Sequence, residues 1–172
     1  MNRSLICLLA WFAGLALPSL LHAQTKTASI GLTVKVLQGC TAGMADGGSQ
    51  SFGTLDFGTR YNLSTAVDVV GQQDAGAIRV SCVSGVNYRV LMNAGLHGTV
   101  AQRQMLGDSG NQRIDYNLYT DAMFGTVWDD TTGVSATGNG QDQWTRVYGR
   151  VPAQATPPAG NYTDSVTVTV IW

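Results

Sequence analysis

The sequence predicts an all-β domain built as an antiparallel β-sandwich. Its 172 residues contain short runs rich in β-branched and aromatic residues, and segments rich in Gly, Asn and Asp separate these runs. Every acidic residue is Asp, so the chain lacks Glu, which favours helices. No window shows a sustained apolar stripe at helical spacing, and no repeat of roughly 20–50 residues occurs.

The chain opens with a predicted secretory signal peptide over residues 1–23. Arg3 supplies the positive start, residues 5–17 form the apolar core, and Ala23 ends a small-residue cleavage site. The apolar run is shorter than the roughly 20 residues that a membrane-spanning helix needs. We therefore expect export rather than anchoring in a membrane.

Residues 24–39 form a predicted N-terminal extension that carries one strand pattern. The apolar side chains on one face of this strand alternate with polar or small residues on the other. The apolar residues are Ile30, Leu32, Val34 and Val36. A long Gly-rich connection follows Cys40 instead of a two-residue turn, so the strand has no evident antiparallel partner in its own chain.

Residues 40–172 contain the remaining predicted strands and form the predicted sandwich domain. These strands cover residues 51–58, 65–71, 76–83, 86–95, 113–122, 126–130, 143–151 and 164–172. In the last strand, Val166, Val168, Val170 and Trp172 share one face. Ile171 interrupts the polar face, which predicts a central strand that is partly covered on both sides.

Charge and cysteine content narrow the function classes. Of the ten Lys and Arg residues Arg3 lies in the signal peptide, so nine oppose eleven Asp and the rest of the chain carries a formal charge of −2. This balance does not predict a nucleic acid or an anionic membrane as partner. Cys40 and Cys82 remain after the signal peptide, and an even pair in an exported chain predicts a disulfide.

Catalytic patterns are weak. The string "GDSG" at residues 107–110 resembles the setting of a serine nucleophile, but His97, the only histidine after the signal peptide, lies close in sequence without a protease-like motif. We therefore predict a turn at Ser109 and no catalytic residue, bound cofactor or small-molecule substrate.

The sequence also contains no convincing pattern for a metal site, and its aromatic residues allow two interpretations. Asp129, Asp130 and Asp142 do not have the spacing of a calcium-binding loop, so they are predicted to be solvated turn residues. The aromatic residues are predicted to pack within the domain, with a sugar-binding platform as the alternative. They are Trp128, Trp144, Tyr116, Tyr119 and Tyr148.

Four segments in order resemble one family. "FGTLDFG", "IRVSC", "YNLYTDA" and the terminal "GNYTDSVTVTVIW" are similar to segments of the spore coat protein U domain family, which includes pilins of the archaic (Csu-type) chaperone–usher pathway. The resemblance implies an incomplete immunoglobulin-like sandwich that lacks one strand. A periplasmic chaperone would fill the gap first, and the extension of the next subunit would replace it at an outer-membrane usher.

The resemblance also implies roles for particular residues. The donor strand would present Ile30, Leu32, Val34 and Val36, Cys40 and Cys82 would form the family disulfide, and the chaperone-contacting or acceptor edge would contain Val166, Val168, Val170 and Trp172. The implied function is that of a structural subunit of a surface pilus, exported through the periplasm, bound to identical or sister subunits, and serving adhesion and biofilm formation. The alternative is a self-contained spore-coat or polysaccharide-binding module whose N-terminal strand folds into its own sheet.

Overall fold

The computed structural model describes residue 26 and residues 29–35, 39–43 and 51–172. The chain divides into two units, Met1–Lys35 and Val36–Trp172. The predicted signal peptide and Val36 lie outside the described residues.

The described part of the chain contains β-strands and no helix. The strands are β1 (Cys40–Ala42), β2 (Val67–Val70), β3 (Ile78–Cys82), β4 (Asn87–Met92), β5 (Arg103–Gly107), β6 (Arg113–Tyr119), β7 (Val134–Thr137), β8 (Asp142–Thr145), β9 (Tyr148–Val151), β10 (Tyr162–Thr163) and β11 (Val168–Ile171). Within these residues there is no helix of the length and apolarity required to cross a membrane.

The strands form three antiparallel sheets. Their orders are β1-β3-β8, β10-β5-β6-β9-β2 and β11-β4-β7. Alternating apolar residues of β3 and β4 point inward, as the period of a strand requires. These residues meet side chains of β6 and β9 in a single core, which contains Ile78, Val80, Tyr88, Val90, Tyr116, Leu118, Trp128 and Val151. The predicted all-β antiparallel sandwich is confirmed.

Some predicted strands differ from the observed ones. Residues 51–58 and 126–130 form no strand, although Phe52, Leu55 and Phe57 pack against the core and Trp128 is fully buried. Residues 143–151 form two strands rather than one, because β8 pairs with β3 and β9 pairs with β2 and β6. The strand-favouring residues of this run do not show where the chain turns from one sheet to another.

Besides β1, which follows the predicted extension, the strands β5, β7 and β10 were not predicted. They are short, and polar residues interrupt their apolar alternation, as in "RQMLG" and "VSAT". These strands are defined by their pairing: β5 pairs with β6, β7 with β4 and β10 with β5. Such pairing is known only from the folded chain.

Candidate functional site

The last strand, β11, lies at the edge of its sheet. It pairs antiparallel with β4, from Val168 opposite Met92 to Ile171 opposite Arg89, and no other described strand pairs with its second side. The prediction of a central strand was therefore wrong. Ile171 interrupts the polar face, but its side chain is 45% exposed.

The unpaired side of β11, called the open edge below, combines free backbone with apolar side chains. Asn93 N donates to Thr167 O at 3.1 Å, so the backbone groups of Thr167 face β4. Backbone groups alternate in direction along an antiparallel ladder, so those of Thr169 also face β4. The N–H and C=O groups of Val168 and Val170 consequently point away from β4. The open edge thus offers a row of backbone hydrogen-bonding groups to an added strand.

The side chains along the open edge are only partly covered. Val166, Val168 and Val170 pack against the core but remain half-buried, whereas Val90 of the neighbouring strand is 1% exposed. Trp172 follows on the same alternating face and is 59% exposed. The core is therefore only partly covered beside β11.

The N-terminal extension presents its own apolar side chains to solvent. Ile30, Leu32 and Val34 are 85%, 90% and 88% exposed, and residues 29–35 form no strand. Three large aliphatic side chains in a row at this exposure are unusual for a soluble surface, because each leaves about 1.5–3 kcal/mol of burial energy unrealised. Residue 36, the fourth predicted donor position, is not described.

The predicted disulfide is present. Cys40 of β1 and Cys82 of β3 are directly opposite in the antiparallel register, and their sulfur atoms are bonded. Cys82 is 2% exposed and belongs to the core, so the bond links the start of the domain to a buried strand. The start of β1 is therefore covalently fixed to the core.

A buried polar network lies behind β4 and was not found from the sequence. The guanidinium of Arg103 is 0% exposed and donates to the carbonyls of Met92, Asn93 and Trp128 at 3.2, 2.7 and 2.8 Å. Burial lowers the pKa of Arg103. A detectable signal existed in the sequence, because Arg103 shares the inward alternation of Met105 while Gln102 and Gln104 occupy the other face.

The predicted turns at Ser109 and Asp129 are present, but the prediction of a solvated turn was wrong for Asp142, which begins strand β8 and accepts from Arg79 Nε at 2.7 Å. Gly110 N donates to Gly107 O at 2.8 Å between β5 and β6, and Ser109 is exposed in that turn. Asp129 accepts hydrogen bonds from the backbone N–H groups of Thr131, Thr132 and Gly133, chiefly the last, and these lower its pKa. Among the described residues, no group of three or more His, Cys, Asp or Glu side chains could hold a metal ion.

The aromatic residues divide into two groups. Trp128 and Tyr116 are 0% and 6% exposed, and Trp128 Nε1 donates to Val90 O at 2.9 Å, so both are core residues. The other three are half-buried on outward-facing strand positions: Trp144 on β8, Tyr119 on β6 and Tyr148 on β9. Tyr119 and Tyr148 are cross-strand neighbours.

The fold and site define a class: a disulfide-stabilised antiparallel sandwich with one open apolar edge and an exposed apolar extension. Comparison with known proteins gives the family. The chain matches the Spore Coat Protein U domain over residues 26–169, and it belongs to that family, as the sequence segments predicted.

The chain is similar to two proteins of known name. The chain is 31% identical over 161 residues to Protein U of Myxococcus xanthus, covering 87% of this chain and 86% of that protein. It is also similar to a chain in the crystal structure of the CsuC-CsuE chaperone-tip adhesion subunit pre-assembly complex from archaic chaperone-usher Csu pili of Acinetobacter baumannii. That similarity has 21% sequence identity and a TM-score of 0.46, and it covers 80% of this chain but 40% of that one.

Proposed function

We propose that this protein is a structural subunit of a surface pilus that polymerises by strand exchange, with the extension of one copy occupying the open edge of the next. The observation that carries the proposal is the coexistence of two complementary, unsatisfied features. One is the partly covered edge of β11, and the other is the extension whose Ile30, Leu32 and Val34 side chains are 85–90% exposed.

The two features match in chemistry and in period. An added strand would pair with the backbone groups of Val168 and Val170, and every second side chain of that strand would point into the core. The extension has apolar residues at the same period of two, with Gly31, Thr33 and Lys35 between them. Lys35 and Thr33 would then lie on the solvent side, where polar residues cost little.

Such a subunit needs protection before assembly. An open edge beside an incompletely covered core favours aggregation, so a temporary partner that supplies a strand would be required. We infer that a periplasmic chaperone fills this role and that an outer-membrane usher hosts the exchange, with the pilus displayed at the cell surface. Adhesion and biofilm formation would follow from that display. In this role the chain is structural, without a reaction of its own.

The second candidate function is that of a self-contained module, which requires the opposite arrangement of the N-terminal strand. Such a module requires the N-terminal strand to complete its own sheet, which would bury Ile30, Leu32 and Val34. Their high exposure favours donation to another copy. A mature chain that remains a soluble monomer at micromolar concentration would favour the module instead.

A chain-terminator experiment tests the proposal. Leu32→Asp should remove donation without disturbing the monomer, since Leu32 is 90% exposed, and the variant should still accept a neighbour's extension. Added at one part in ten to the mature wild-type chain, it should shorten the polymers seen by size-exclusion chromatography and electron microscopy. Thr33→Asp is the matched control, because it places the same charge on the opposite face of the strand.

The two variants give decisive outcomes. Shortening by Leu32→Asp and wild-type polymers with Thr33→Asp support exchange through the apolar face. Polymers of unchanged length with Leu32→Asp, or equal shortening by both variants, would show that the alternating face does not mediate assembly.

A further inference from the structure

The hydrogen-bond ladder between β4 and β11 is rerouted at its last step. In a regular antiparallel pair, Asn93 and Thr167 would exchange two backbone hydrogen bonds. Asn93 N does donate to Thr167 O at 3.1 Å, but Thr167 N donates to the side-chain Oδ1 of Asn93 at 2.8 Å. The same Oδ1 accepts from Gly95 N at 2.9 Å.

The buried guanidinium of Arg103 explains the rerouting. The carbonyl oxygen of Asn93, which would ordinarily accept from Thr167, instead accepts from Arg103 Nε at 2.9 Å and Nη2 at 2.7 Å. The side-chain amide of Asn93 therefore replaces its own backbone carbonyl as the partner of the edge strand. Asn93 thus connects a fully buried cation to the residue between Val166 and Val168.

A second contact holds the chain just before the open edge. Asp164 accepts from Tyr116 Oη at 2.6 Å and from Leu96 N at 2.9 Å. Gly95 has a φ of 80°, and a Cβ at that position would collide with the Asp164 carboxylate. The loop after β4 and the segment before β11 therefore fit closely together.

We propose that Asn93 is the positioning residue of the open edge, with Asp164 as its second support. By fixing Thr167 it holds Val166 and Val168 extended, with their side chains toward the core and their backbone groups toward the incoming strand. The edge is thus ordered before a donor arrives, which lowers the conformational cost of binding. This inference rests on the proposed function, since it names what prepares that same edge for its partner.

The test uses the mature, disulfide-bonded chain carrying Leu32→Asp, so that it accepts a strand without donating one. The probe is a fluorescent peptide that copies residues 29–37. Asn93→Ala leaves the N–H groups of Thr167 and Gly95 without their acceptor, so peptide association should slow by about fivefold and amide exchange at residues 166–169 should accelerate by at least about fivefold. Asn93→Asp keeps the acceptor oxygen and should restore both rates to within about twofold of the parent.

A control separates positioning from general stability. Asp68→Asn breaks the Asp68–Arg150 ion pair between β2 and β9, in a different sheet from β11. It should leave peptide association and exchange at residues 166–169 unchanged. If Asn93→Ala does not fold, Tyr116→Phe, which removes only the hydroxyl donor to Asp164, is judged by the same two measurements.

The outcomes distinguish the two proposals. A parent chain that does not bind the peptide would overturn the proposed function. A parent chain that binds it, while the Asn93→Ala variant (or Tyr116→Phe in its place) associates and exchanges at parent rates, would overturn the positioning role alone. Failure of Asn93→Asp to restore either rate would also count against it, because the retained oxygen is the atom held responsible.

Discussion

Replacing Arg103 with Met should destabilise the domain severely, although an apolar side chain of similar length would ordinarily suit a buried site. Arg103 is 0% exposed, and its donors reach the carbonyls of Met92, Asn93 and Trp128 and the side chain of Asn117. Methionine fills much of the volume but donates no hydrogen bond. The carbonyls of Met92, Asn93 and Trp128, and that of Val100 at 3.5 Å, would then lose their guanidinium donors.

The magnitude follows from these carbonyls. Leaving a buried acceptor unpaired costs about 1–3 kcal/mol each, and relief of the buried guanidinium's desolvation offsets part of that sum. We expect a loss of about 3–5 kcal/mol in the free energy of unfolding, against a typical total of about 5–15 kcal/mol. Arg103→Lys should lose less, because an ammonium retains three donors without the planar fork.

Urea unfolding of the disulfide-bonded chain, followed by tryptophan fluorescence, measures this loss. With a slope of about 1–3 kcal/mol/M, the midpoint should fall by at least about 1 M. Met105→Leu, a change of similar size at the next inward position of β5, should shift it far less. An Arg103→Met midpoint matching wild type would refute the reasoning, because it would mean that the carbonyls find other partners at no cost.

Three further predictions follow from the same contacts. Replacing Cys40 and Cys82 together with Ser should lower the free energy of unfolding by about 4 kcal/mol for a sequence separation of 42, and wild-type stability in a melt of the double variant would contradict this. The pKa values of Asp129 and Asp68 are lowered from 3.8, chiefly by the hydrogen bonds from Gly133 N and from Arg150. The stability that these carboxylates contribute is therefore present above pH 3.8 and is lost as the pH falls below it. The melting temperature should be flat from about pH 5 to 7 and fall below about pH 4, and the fall should be smaller in Asp129→Asn. Leu32→Ala should leave the melting temperature of the monomer unchanged, since Leu32 is 90% exposed. The same variant should weaken the polymer by about 2 kcal/mol per junction in denaturant titrations. Equal losses of stability in the monomer and the polymer would argue against strand exchange.

The sequence by itself determined the strand content and the family. Both follow from local or linear information: β-branched alternation, turn residues, and an ordered set of segments from Phe52 to Trp172. It also determined the disulfide, because only Cys40 and Cys82 remain in the predicted mature chain. These features need no knowledge of which strands become neighbours.

Only the tertiary structure decided where each strand lies. Residues 143–151 were predicted as one strand, but the chain changes sheets between β8 and β9. Ile171 indicated a covered strand, yet β11 is an edge because its second side has no partner among the described residues. Whether a strand lies at the edge or in the centre of a sheet depends on pairing over long sequence separations, and the strand's own residues predict it poorly.

The hydrogen bonds that connect Arg103, Asn93 and Thr167 likewise could not be predicted from the sequence. Asn93 and Arg103 are 10 residues apart, but Thr167 lies far from both in the chain. Nothing in the local patterns indicates that the guanidinium of Arg103 donates to the carbonyl of Asn93 while the side chain of Asn93 accepts from Thr167. The sequence could predict a donor strand, because its alternation of apolar and polar side chains is a property of consecutive residues. The site that would receive it exists only once β4, β5 and β11 have packed, since its geometry depends on hydrogen bonds among all three.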